Sequence, residues 1–307
     1  MKLSVIIPCL NGEATLAVQL EALANQQWSE PWELILSDNG STDNSVKIAL
    51  NYKDRFPAFR VIDASKKIRQ SHALNEGVKV AETDSVAFCD ADDEVSPGWL
   101  ASIGNALRDH DVVHGQFYFD KFNAPNDAKM AANSWNNGLC KKQFLPGGGA
   151  GNLGIKRWVH EAIGGFDEKI PRFEDSDYYW KLQLEGFKLH YVPEAIIQVR
   201  MGRVNPSLSS LFRRGRTGTA GKYWLYKRYR HLGMLPNPPL KRSIGSWIQI
   251  LRQGAAGDLK TRRRRSLWME QFALKTGELV GELQGRMMNP CGPYLLNKRA
   301  MEKEFHI

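Results

Sequence analysis

Four acidic residues crowd the end of one apolar run in the sequence. Asp90, Asp92, Asp93 and Glu94 close the segment VAFCDADDE. Carboxylate oxygens are the ligands that Mg²⁺ and Mn²⁺ prefer, and proteins hold these ions through one or two carboxylates together with substrate phosphates. A polar turn between a strand and a helix, with an aspartate capping the helix before Pro97, would explain the same residues. The motif alone leaves both interpretations open, because short acidic motifs also arise by chance.

Polar side chains also follow two earlier apolar runs. Asn11 and Glu13 come after LSVIIPC, and Asp38 comes after WELILS. An acidic residue beyond a strand holds the ribose in other nucleotide sites. Asp38 could equally begin an Asx-type turn into the next helix. This residue therefore also has two interpretations.

The elements that must position these residues alternate along the chain. The predicted strands are LSVIIP, WELILSD, FRVIDA, DSVAFCDADD and DVVHGQFYF, and the segments between them show the apolar spacing of helices. Such alternation predicts a doubly wound, mainly parallel sheet. Ligands bind beyond the carboxyl ends of the strands in these sheets. The acidic and amide groups should therefore gather along one rim, which favours a site over four unrelated turns.

The pattern is looser after residue 119. The segment 120–138 is polar and rich in turn residues, which predicts a loop. Next come a glycine run with a short helix (PGGGAGNLGIKRWVHEAIGGFDE) and then an acid-capped helix followed by a strand (EDSDYYWKLQLEGFKLHYVPEA). The run GGGAGN either lines an acceptor cleft, where small residues allow close approach, or is a plain flexible loop. His114 and His160 are expected to be packing or surface residues.

Charge is distributed unevenly along the chain. Residues 1–199 contain 20 Lys and Arg against 27 Asp and Glu, a net charge of −7, whereas residues 200–307 contain 22 against 6, a net charge of +16. The basic part includes a predicted amphipathic helix, KTRRRRSLWMEQFALKTGELVGELQGRM. This helix could lie on anionic lipid with Trp268, Phe272 and Leu274 in the interface. It could also be a solvated basic face that packs on the body or in a dimer, and nucleic-acid binding is the least favoured interpretation.

Hydrophobic content of 42% and charged content of 24% are ordinary for a globular protein. The four cysteines are far apart, and Cys9 and Cys89 lie in strand-like runs, which fits a reducing cytosol. Pro8 interrupts the first apolar run, and no window approaches the ~20 apolar residues of a spanning helix. We expect a cytoplasmic protein that meets a membrane, if at all, from the inner face.

Four segments together resemble the family 2 inverting glycosyltransferases of the GT-A fold. They are, in order, SVIIPCLNGEATL, ILSDNGSTDNS, FCDADD and GGFDEKIPRFEDSDYYWKLQLEGFKLHYVPEA, and they span residues 1–200 approximately. Four motifs in the family's order and spacing are far more specific than any one of them. The resemblance implies a GT-A-type doubly wound, mainly parallel α/β sheet with a nucleotide-sugar donor and a divalent cation, Mn²⁺ or Mg²⁺.

The resemblance also implies donor contacts residue by residue. The segment from Pro8 to Glu13, including Leu10 and Asn11, resembles the loop that packs around the base of the nucleotide sugar. Asp38 resembles the acid that holds the base and ribose.

The remaining carboxylates resemble the family's D-x-D and E-D motifs. Asp92 corresponds to the direct metal contact, and Asp90 to a contact with the donor and the metal. Asp175 resembles the catalytic base, with Glu174 beside it. An inverting transfer needs a base for the acceptor hydroxyl and charge neutralisation on the leaving diphosphate, which are separate tasks. Without the upstream motifs, these last acids would be explained by a helix N-terminus, which favours negative charge.

Two departures from the family pattern affect the charges around the diphosphate. Leu74 stands where many relatives have the Arg of an A-R-N-x-G run, so Arg69 or His72 must supply that contact if it exists. Many relatives have a His after the strand that contains VPEA, and here Arg200 or Arg203 could replace it. The Q-x-x-R-W signature of membrane-embedded polymerising relatives is absent, which favours the transfer of a single sugar.

Two other functions compete with glycosyl transfer. A nucleotidyltransferase usually has a glycine-rich, Lys- or Arg-bearing loop after the first strand, whereas this chain has Asn11, Gly12 and Glu13 there. A non-catalytic module that binds membranes or nucleic acid would not need the carboxylates, yet all four motifs retain them.

The expected organisation is a GT-A domain over residues 1–205 and a basic helical region over residues 206–307. Within the domain, residues 1–95 are assigned approximately to the nucleotide sugar and residues 96–205 to the acceptor. The expected partners are a nucleotide sugar, a glycan or lipid-linked glycan acceptor and an anionic membrane surface reached through the basic tail. The expected role is cell-surface polysaccharide synthesis, and a homodimer stays open.

Overall fold

The computed structural model describes residues 2–140, 143–202, 207–255, 261–289 and 292–295. Within these residues the chain forms two compact units. The first contains Met1–Glu168 and Asp175–Met201, and the second contains Lys169–Glu174 and Gly202–Leu295. The expected domain boundary at residue 205 lies outside the described residues and stays a prediction.

The first unit contains all the strands of the described residues. They are β1 (Leu3–Cys9), β2 (Trp32–Asp38), β3 (Phe59–Asp63), β4 (Ser85–Phe88), β5 (Glu94–Val95), β6 (Val112–Tyr118), β7 (Trp135–Asn136), β8 (Leu139–Cys140), β9 (Leu153–Lys156) and β10 (His190–Gln198). Eight of them form one sheet in the order β3-β2-β1-β4-β9-β6-β10-β5, and β7 and β8 form a separate hairpin.

Seven α-helices accompany the sheet among the described residues. They are α1 (Leu16–Ala24), α2 (Ser45–Leu50), α3 (Gln70–Val80), α4 (Trp99–Asp109), α5 (Pro125–Ala132), α6 (Arg157–Ala162) and α7 (Glu174–Leu184). The first residue of α7 belongs to the second unit and the rest to the first.

Strand direction places the ends of the predicted strands at one rim. β1 is parallel to β2 and β4, β2 is parallel to β3, and β6 is parallel to β10. The register pairs Cys9 with Asp38, and Asp38 with Asp63, so these strands end level with one another. β9 runs antiparallel to β4 and β6, and β5 runs antiparallel to β10. The expected mainly parallel sheet is confirmed, with these two antiparallel strands added.

The central strands are buried on both faces, which is why their sequences are continuously apolar. Every residue of β1 is buried. One face packs against the apolar sides of α1 and α4, including Leu20 and Trp99. The other face packs against α3 and α7, including Leu74 and Tyr178.

The structure differs from the sequence prediction between residues 119 and 157. The predicted loop, residues 120–138, contains α5 and β7, and β8 follows it directly. The segment predicted as a glycine run and helix contains β9. Only Ala128 of α5 is buried, so the helix lacks a clear apolar face. The hairpin strands have two residues each, and β9 has four. Elements this short leave almost no periodicity to detect.

The second unit contains three helices, α8 (Leu208–Tyr229), α9 (Leu240–Ala255) and α10 (Arg262–Met287). α8 and α10 approach backbone to backbone, because a Cβ atom at Gly277 would overlap the carbonyl of Phe212 and one at Gly281 would overlap that of Arg216. The predicted basic helix is thus present as α10. No helix among the described residues is long and apolar enough to cross a bilayer.

Candidate functional site

The loops that follow β1 and β2 are hydrogen-bonded to each other. The N–H of Asn11 donates to Ser41 Oγ at 3.0 Å, and the N–H of Thr42 donates to Asn11 Oδ1 at 2.8 Å. Glu13 accepts from Asn44 Nδ2 at 2.7 Å. Asn11 has a positive φ of 53°, a backbone conformation that asparagine tolerates better than most residues. The two polar loops predicted to share a rim therefore form one rigid edge.

Asp38 begins the turn at the end of β2. Both of its carboxylate oxygens accept from the N–H of Ser41, at 3.2 and 3.3 Å. The next residue, Asn39, is buried and donates to the carbonyls of Ala64 and Lys67, which ties this turn to the loop after β3. This bond comes from the third residue along, whereas an Asx turn uses the second, so Asp38 closes the turn before α2 in a related way. Asp38 remains partly exposed, which is compatible with a ligand contact.

Three carboxylates meet after β4. Ligand oxygens of Asp90, Asp92 and Asp93 lie within 4.8 Å of one another. Asp92 is exposed, Asp90 is half-buried, and Asp93 is only 5% exposed. Gln70 Nε2 donates to Asp90 Oδ1 at 2.7 Å, and Gln19 Nε2 donates to the backbone carbonyl of Asp90 at 2.9 Å. The cluster is therefore held from α1 and α3 as well as by its own strand.

Asp93 is the buried member of the cluster. Burial raises the pKa of the Asp93 carboxyl to about 7. The hydrogen bond from the N–H of Arg200 lowers this pKa, and the charge of Asp92 raises it. The N–H of Arg200 donates to Asp93 Oδ1 at 2.8 Å, and Arg200 Nε donates to the carbonyl of Asp92 at 3.1 Å. The guanidinium lies 3.9 Å from the ring centre of Phe122. Arg200 is thus at the acidic cluster, as one of the two sequence alternatives proposed, whereas Arg203 lies outside the described residues.

The glycine segment 147–151 lies beside the acidic cluster. Because β9 is antiparallel to β4 and Leu153 pairs with Phe88, the residues before β9 lie at the rim where β4 ends. A Cβ atom at Gly151 would come 2.5 Å from Asp90 Oδ2. Asn152 is fully buried and bonds Trp99 Nε1 and two carbonyls, which fixes the segment. The segment is therefore a packed wall of the site, and not the plain flexible loop that was the alternative.

α7 runs along the same glycine segment. Trp180 Nε1 donates to the carbonyl of Leu145 at 2.8 Å, and a Cβ atom at Gly148 would overlap the ring of Tyr179. Asp175 lies one turn before Tyr179. Burial raises the pKa of the Tyr179 hydroxyl, and the charge of Asp175 raises it further. The start of α7 is thereby held next to the wall that Asp90 contacts.

The other acids at the start of α7 have different environments. Asp177 is fully buried, with Lys181 Nζ 3.7 Å away, and Lys181 also donates to the carbonyl of Ile163 at 3.1 Å. This pair is therefore structural. Glu174 is grouped with the second unit, and its charge acts on Arg172 of that unit. Of the two predicted catalytic acids, only Asp175 lies in the same unit as the acidic cluster.

Four further predicted residues have clear positions. Pro8 is buried within β1, and Leu10 is 43% exposed just beyond it. Arg69 is exposed at the N-terminus of α3. Leu74 is buried in the core against the sheet, so its side chain cannot replace a charge contact at the rim.

His72, the other residue considered for that contact, is buried, and its Nδ1 lies 3.1 Å from Glu168 Oε1. Lys67 and Asn75 also bond Glu168. Burial raises the pKa of Glu168, whereas the three hydrogen bonds lower it. The net result is a pKa of about 2. His72 is therefore part of a polar network, and Arg69 is the exposed alternative.

Sequence reasoning missed Gln19 and Gln70. Gln19 lies among the apolar positions of α1, yet it is fully buried and bonds both Asp90 and the N–H of Val95. A polar residue on the apolar side of a helix is a signal that could have identified it. Gln70 is exposed in a polar segment, so no pattern distinguishes it.

The donor set fits a divalent cation. Three carboxylates within 4.8 Å supply hard oxygen ligands, and Gly151 has no side chain to fill the space beside Asp90 Oδ2. Negative charges held this close raise one another's pKa, and a bound cation relieves that repulsion.

Comparison with known proteins identifies the family. Residues 4–164, more than half of the chain, match the model of the family described as glycosyl transferase family 2. The chain belongs to glycosyl transferase family 2. The matched part is a glycosyltransferase domain, which favours glycosyl transfer over nucleotidyl transfer and over a non-catalytic module.

Two curated relatives are similar to this family 2 chain. "Uncharacterized glycosyltransferase YibD" of Escherichia coli is 44% identical over 111 residues, which are 36% of this chain and 32% of that protein. "Putative glycosyltransferase EpsE" of Bacillus subtilis is 28% identical over 208 residues, which are 65% of this chain and 73% of that protein. The similarity therefore spans about a third of YibD and nearly three quarters of EpsE.

Solved structures are similar in fold. Mannosyltransferase PcManGT from Pyrobaculum calidifontis, determined in complex with GDP-Man and Mn²⁺, superimposes with a TM-score of 0.58 at 17% identity, covering 92% of this chain and 87% of that one. At this identity the likeness establishes the fold, and it confirms the expected GT-A-type architecture.

Proposed function

We propose that this family 2 glycosyltransferase transfers a single sugar, with inversion, from a nucleoside-diphosphate sugar to a hydroxyl group of a glycan or lipid-linked glycan. The observation that carries the proposal is the cluster of Asp90, Asp92 and Asp93, packed against the glycine segment that also contacts α7. The proposed donor carboxylates and the helix that carries the proposed base both contact this one glycine segment.

The donor would lie along the rim formed by the loops after β1 and β2. Leu10 is an exposed apolar side chain on this rim, which suits one face of a base, and Asp38 suits the ribose hydroxyls. Asn11 and Glu13 already bond the neighbouring loop, so their role is to fix the shape of the rim, with the donor contacting their exposed surfaces.

Asp92 and Asp90 would hold the divalent cation, with Asp93 supporting them from its buried position. When bound, the cation neutralises charge on the leaving diphosphate. PcManGT, which has the same fold, binds GDP-Man and Mn²⁺ in its solved complex, and this supports the proposal of the same class of ligands here. Gln70 orients Asp90 for this task, and Arg69 and Arg200 bring positive charge to the diphosphate side.

Asp175 would act as the general base. Its carboxylate takes the proton from the acceptor hydroxyl while that oxygen attacks the anomeric carbon from the face opposite the leaving group. One displacement without a covalent intermediate inverts the anomeric centre. The half-buried position of Asp175 keeps it accessible to an acceptor, whereas the buried Asp177 is engaged with Lys181.

We further propose that the acceptor belongs to cell-surface polysaccharide synthesis and is met at an anionic membrane surface. The support is the concentration of positive charge in residues 200–307, which have a net charge of +16.

The test is a thermal-shift panel on the purified chain with UDP-, GDP-, dTDP- and CMP-linked sugars, with and without Mn²⁺. We expect one donor class to raise the melting temperature, with the shift lost on addition of EDTA and restored by Mn²⁺, since ligand at about 100 times its Kd stabilises by about 2.7 kcal/mol. Asp92→Asn should lose the metal-dependent shift. Asp109→Asn, an exposed change at the end of α4, is the matched control and should retain it. Absence of any metal-dependent shift would refute the proposal.

A further inference from the structure

α9 has one face that packs inside the second unit. Trp247 Nε1 donates to Thr276 Oγ1 at 3.0 Å, and the carbonyl of Ile250 accepts from Trp268 Nε1 at 2.8 Å. These contacts fix the rotation of α9 about its own axis. They also determine which of its side chains point away from α10.

A second face of α9 is apolar and exposed. Ile244, Ile248 and Leu251 are 39%, 39% and 37% exposed. Their spacing of four and three residues places them in one row along the helix. We call these three residues the α9 stripe. Exposed apolar side chains are ordinary when scattered, but a row of them on one helix marks a contact surface.

The α9 stripe is bordered by positive charge. Lys241 precedes Ile244 by three residues and Arg252 follows Ile248 by four, so both lie within one turn of the stripe, and both are exposed. The sequence contains no acidic residue from position 195 to position 257. No carboxylate of α9 therefore offsets these charges.

A second group of basic residues lies at the carboxyl end of α9. Residues 262–265 are four consecutive arginines, all exposed, in the first turn of α10. They directly precede Trp268, whose indole bonds the carbonyl of Ile250. The stripe and both basic groups thus belong to the same corner of the helical unit.

The aromatic residues that the sequence suggested for a lipid contact are used otherwise. Trp268 and Phe272 stack with their ring centres 5.2 Å apart, and Trp247 lies 6.2 Å from Phe272. The rings of Trp268 and Phe272 therefore pack in the contact between α9 and α10. The second unit still offers exposed apolar side chains beside its basic residues. Leu267 and Met269 of α10 are 49% and 43% exposed, and α9 adds a row of its own.

We propose that α9 docks on the surface of an anionic phospholipid bilayer, with the α9 stripe inserted among the acyl chains and Lys241, Arg252 and the 262–265 arginines against the headgroups. An interfacial helix requires this combination of an apolar row and flanking cations. A second copy of the chain would bring the same cations face to face. Nucleic acid would engage the cations and gain nothing from the stripe.

The inference rests on the proposed function for its purpose, since docking would hold the enzyme where a lipid-linked acceptor is presented. Vesicle binding itself requires no turnover and no donor. Failure of docking and failure of sugar transfer are therefore distinguishable.

The experiment is co-sedimentation of the full chain with vesicles of phosphatidylcholine alone and of phosphatidylcholine with one third phosphatidylglycerol. We expect binding to the anionic vesicles at least about tenfold tighter than to the neutral ones, weakening as salt is raised. Ile244→Ser combined with Ile248→Ser should lower affinity for anionic vesicles about tenfold, because the apolar contribution is removed while the charge is kept. Lys241→Gln combined with Arg252→Gln should lower it by a similar factor at low salt and much less at high salt.

Matched controls come from the first unit. Leu50→Ser with Met130→Ser removes two apolar side chains that are 52% and 66% exposed, and Lys47→Gln with Lys188→Gln removes two exposed cations. Both double variants should bind vesicles as the parent chain does. All four variants should keep the parent's circular dichroism, because each change is at an exposed side chain.

Three outcomes would overturn the proposal. The first is equal binding to neutral and anionic vesicles, or none to either. The second is an isoleucine-dependent dimer in sedimentation equilibrium without vesicle binding, which would assign the stripe to a second copy. The third is binding to duplex DNA that the isoleucine variant retains and that exceeds its binding to vesicles.

Discussion

Asp90 is held by three neighbours that lie far from it in the sequence. Gln70 bonds its carboxylate, Gln19 bonds its carbonyl, and Gly151 leaves the space that the second carboxylate oxygen occupies. A carboxylate that must bind a cation gains from such orientation, because the rotamer is fixed before the ligand arrives. The D-x-D motif therefore depends on residues outside it.

Gln70→Ala should weaken metal-dependent donor binding without changing the fold. Loss of one hydrogen bond to a charged group costs about 1.5 kcal/mol, which predicts a roughly tenfold higher donor KM in the presence of Mn²⁺. Steady-state kinetics with varied donor and varied Mn²⁺ would measure this. Gln27→Ala, another exposed glutamine in the first unit, is the control and should leave KM unchanged. An unchanged KM in Gln70→Ala would show that Asp90 needs no orientation from α3.

Asp175→Asn should abolish transfer while donor binding is retained. The amide keeps the size of the side chain but cannot take a proton, and loss of a general base typically lowers kcat by about 10²- to 10⁴-fold. Single-turnover transfer and donor thermal shift would be measured on the same preparation. Asp109→Asn should be fully active. Full turnover in Asp175→Asn would mean that another group serves as the base.

At the scale of elements, the site depends on β9 running against its neighbours. Its antiparallel direction brings the glycine segment to the rim where β4 ends, and Asn152 bonds α4, β6 and β10 to keep it there. α7 then packs on the segment through Tyr179, whose ring lies against Gly148. One short strand thereby connects the acidic cluster to the helix that bears Asp175.

Gly151→Ala should impair the site more than the fold. The added methyl group would lie 2.5 Å from Asp90 Oδ2, so the carboxylate must turn away from its bond with Gln70. We expect loss of the Mn²⁺-dependent thermal shift with donor and a decrease of about 1–3 kcal/mol in the free energy of unfolding.

The control for this change is Gly245→Ala, where a Cβ atom meets nothing within 4 Å. It lies within α9 and should raise stability by up to about 1 kcal/mol, because alanine favours the helix. Retention of the donor shift in Gly151→Ala would mean that the wall can move to accommodate a side chain.

At the scale of the whole molecule, function and charge are distributed between different parts of the chain. The carboxylates of the site lie in residues 1–199, with a net charge of −7, and the basic residues lie in residues 200–307, with a net charge of +16. The first part suits a cation and a nucleotide sugar, and the second suits an anionic surface. The sequence shows this difference in net charge between the two parts of the chain. It does not show which surface of the helical unit presents the basic residues.

The stability of the chain should fall as pH falls from 7 toward 5. Burial lowers the pKa of His114 to about 4, and the charge of His190 has a smaller effect in the same direction. Burial, followed by the charges of Lys181 and Arg157, lowers the pKa of His160 to about 3. The unfolded chain therefore binds protons in this range that the folded chain does not, and stability is lost as pH falls below 6.5. Each histidine contributes up to about 2 kcal/mol of this loss between pH 7 and pH 5. Asp93 opposes the loss, because its pKa is raised to about 7 and the folded chain takes up that proton in the same range. The two histidines outweigh the one carboxyl, so the net change is a loss of stability.

Urea unfolding at several pH values would measure the effect. His114→Phe should have a shallower pH dependence than the parent chain. Within the part of the chain that the structure describes, the buried Nδ1 of His114 has no hydrogen-bond partner, so a ring that does not titrate can replace it. An unaltered slope in His114→Phe would show that this histidine titrates equally in both states.

The sequence determined the alternation of strands and helices, the rim where the polar loops meet, and the family. It could do so because buried strands are continuously apolar and because D-x-D, E-D and the loop motifs are local. It did not find α5, β7, β8 or β9, since elements of two to eight residues with few buried positions leave no clear period.

Only the tertiary structure determined which side chains contact one another. Leu74 lies in the core, Arg200 bonds Asp93, and Gln70 bonds Asp90. Trp268 packs against α9, which carries an exposed apolar row. These contacts join residues up to 107 positions apart in the chain. A local pattern specifies a residue's own element, whereas the neighbour of a side chain is determined by how distant elements pack.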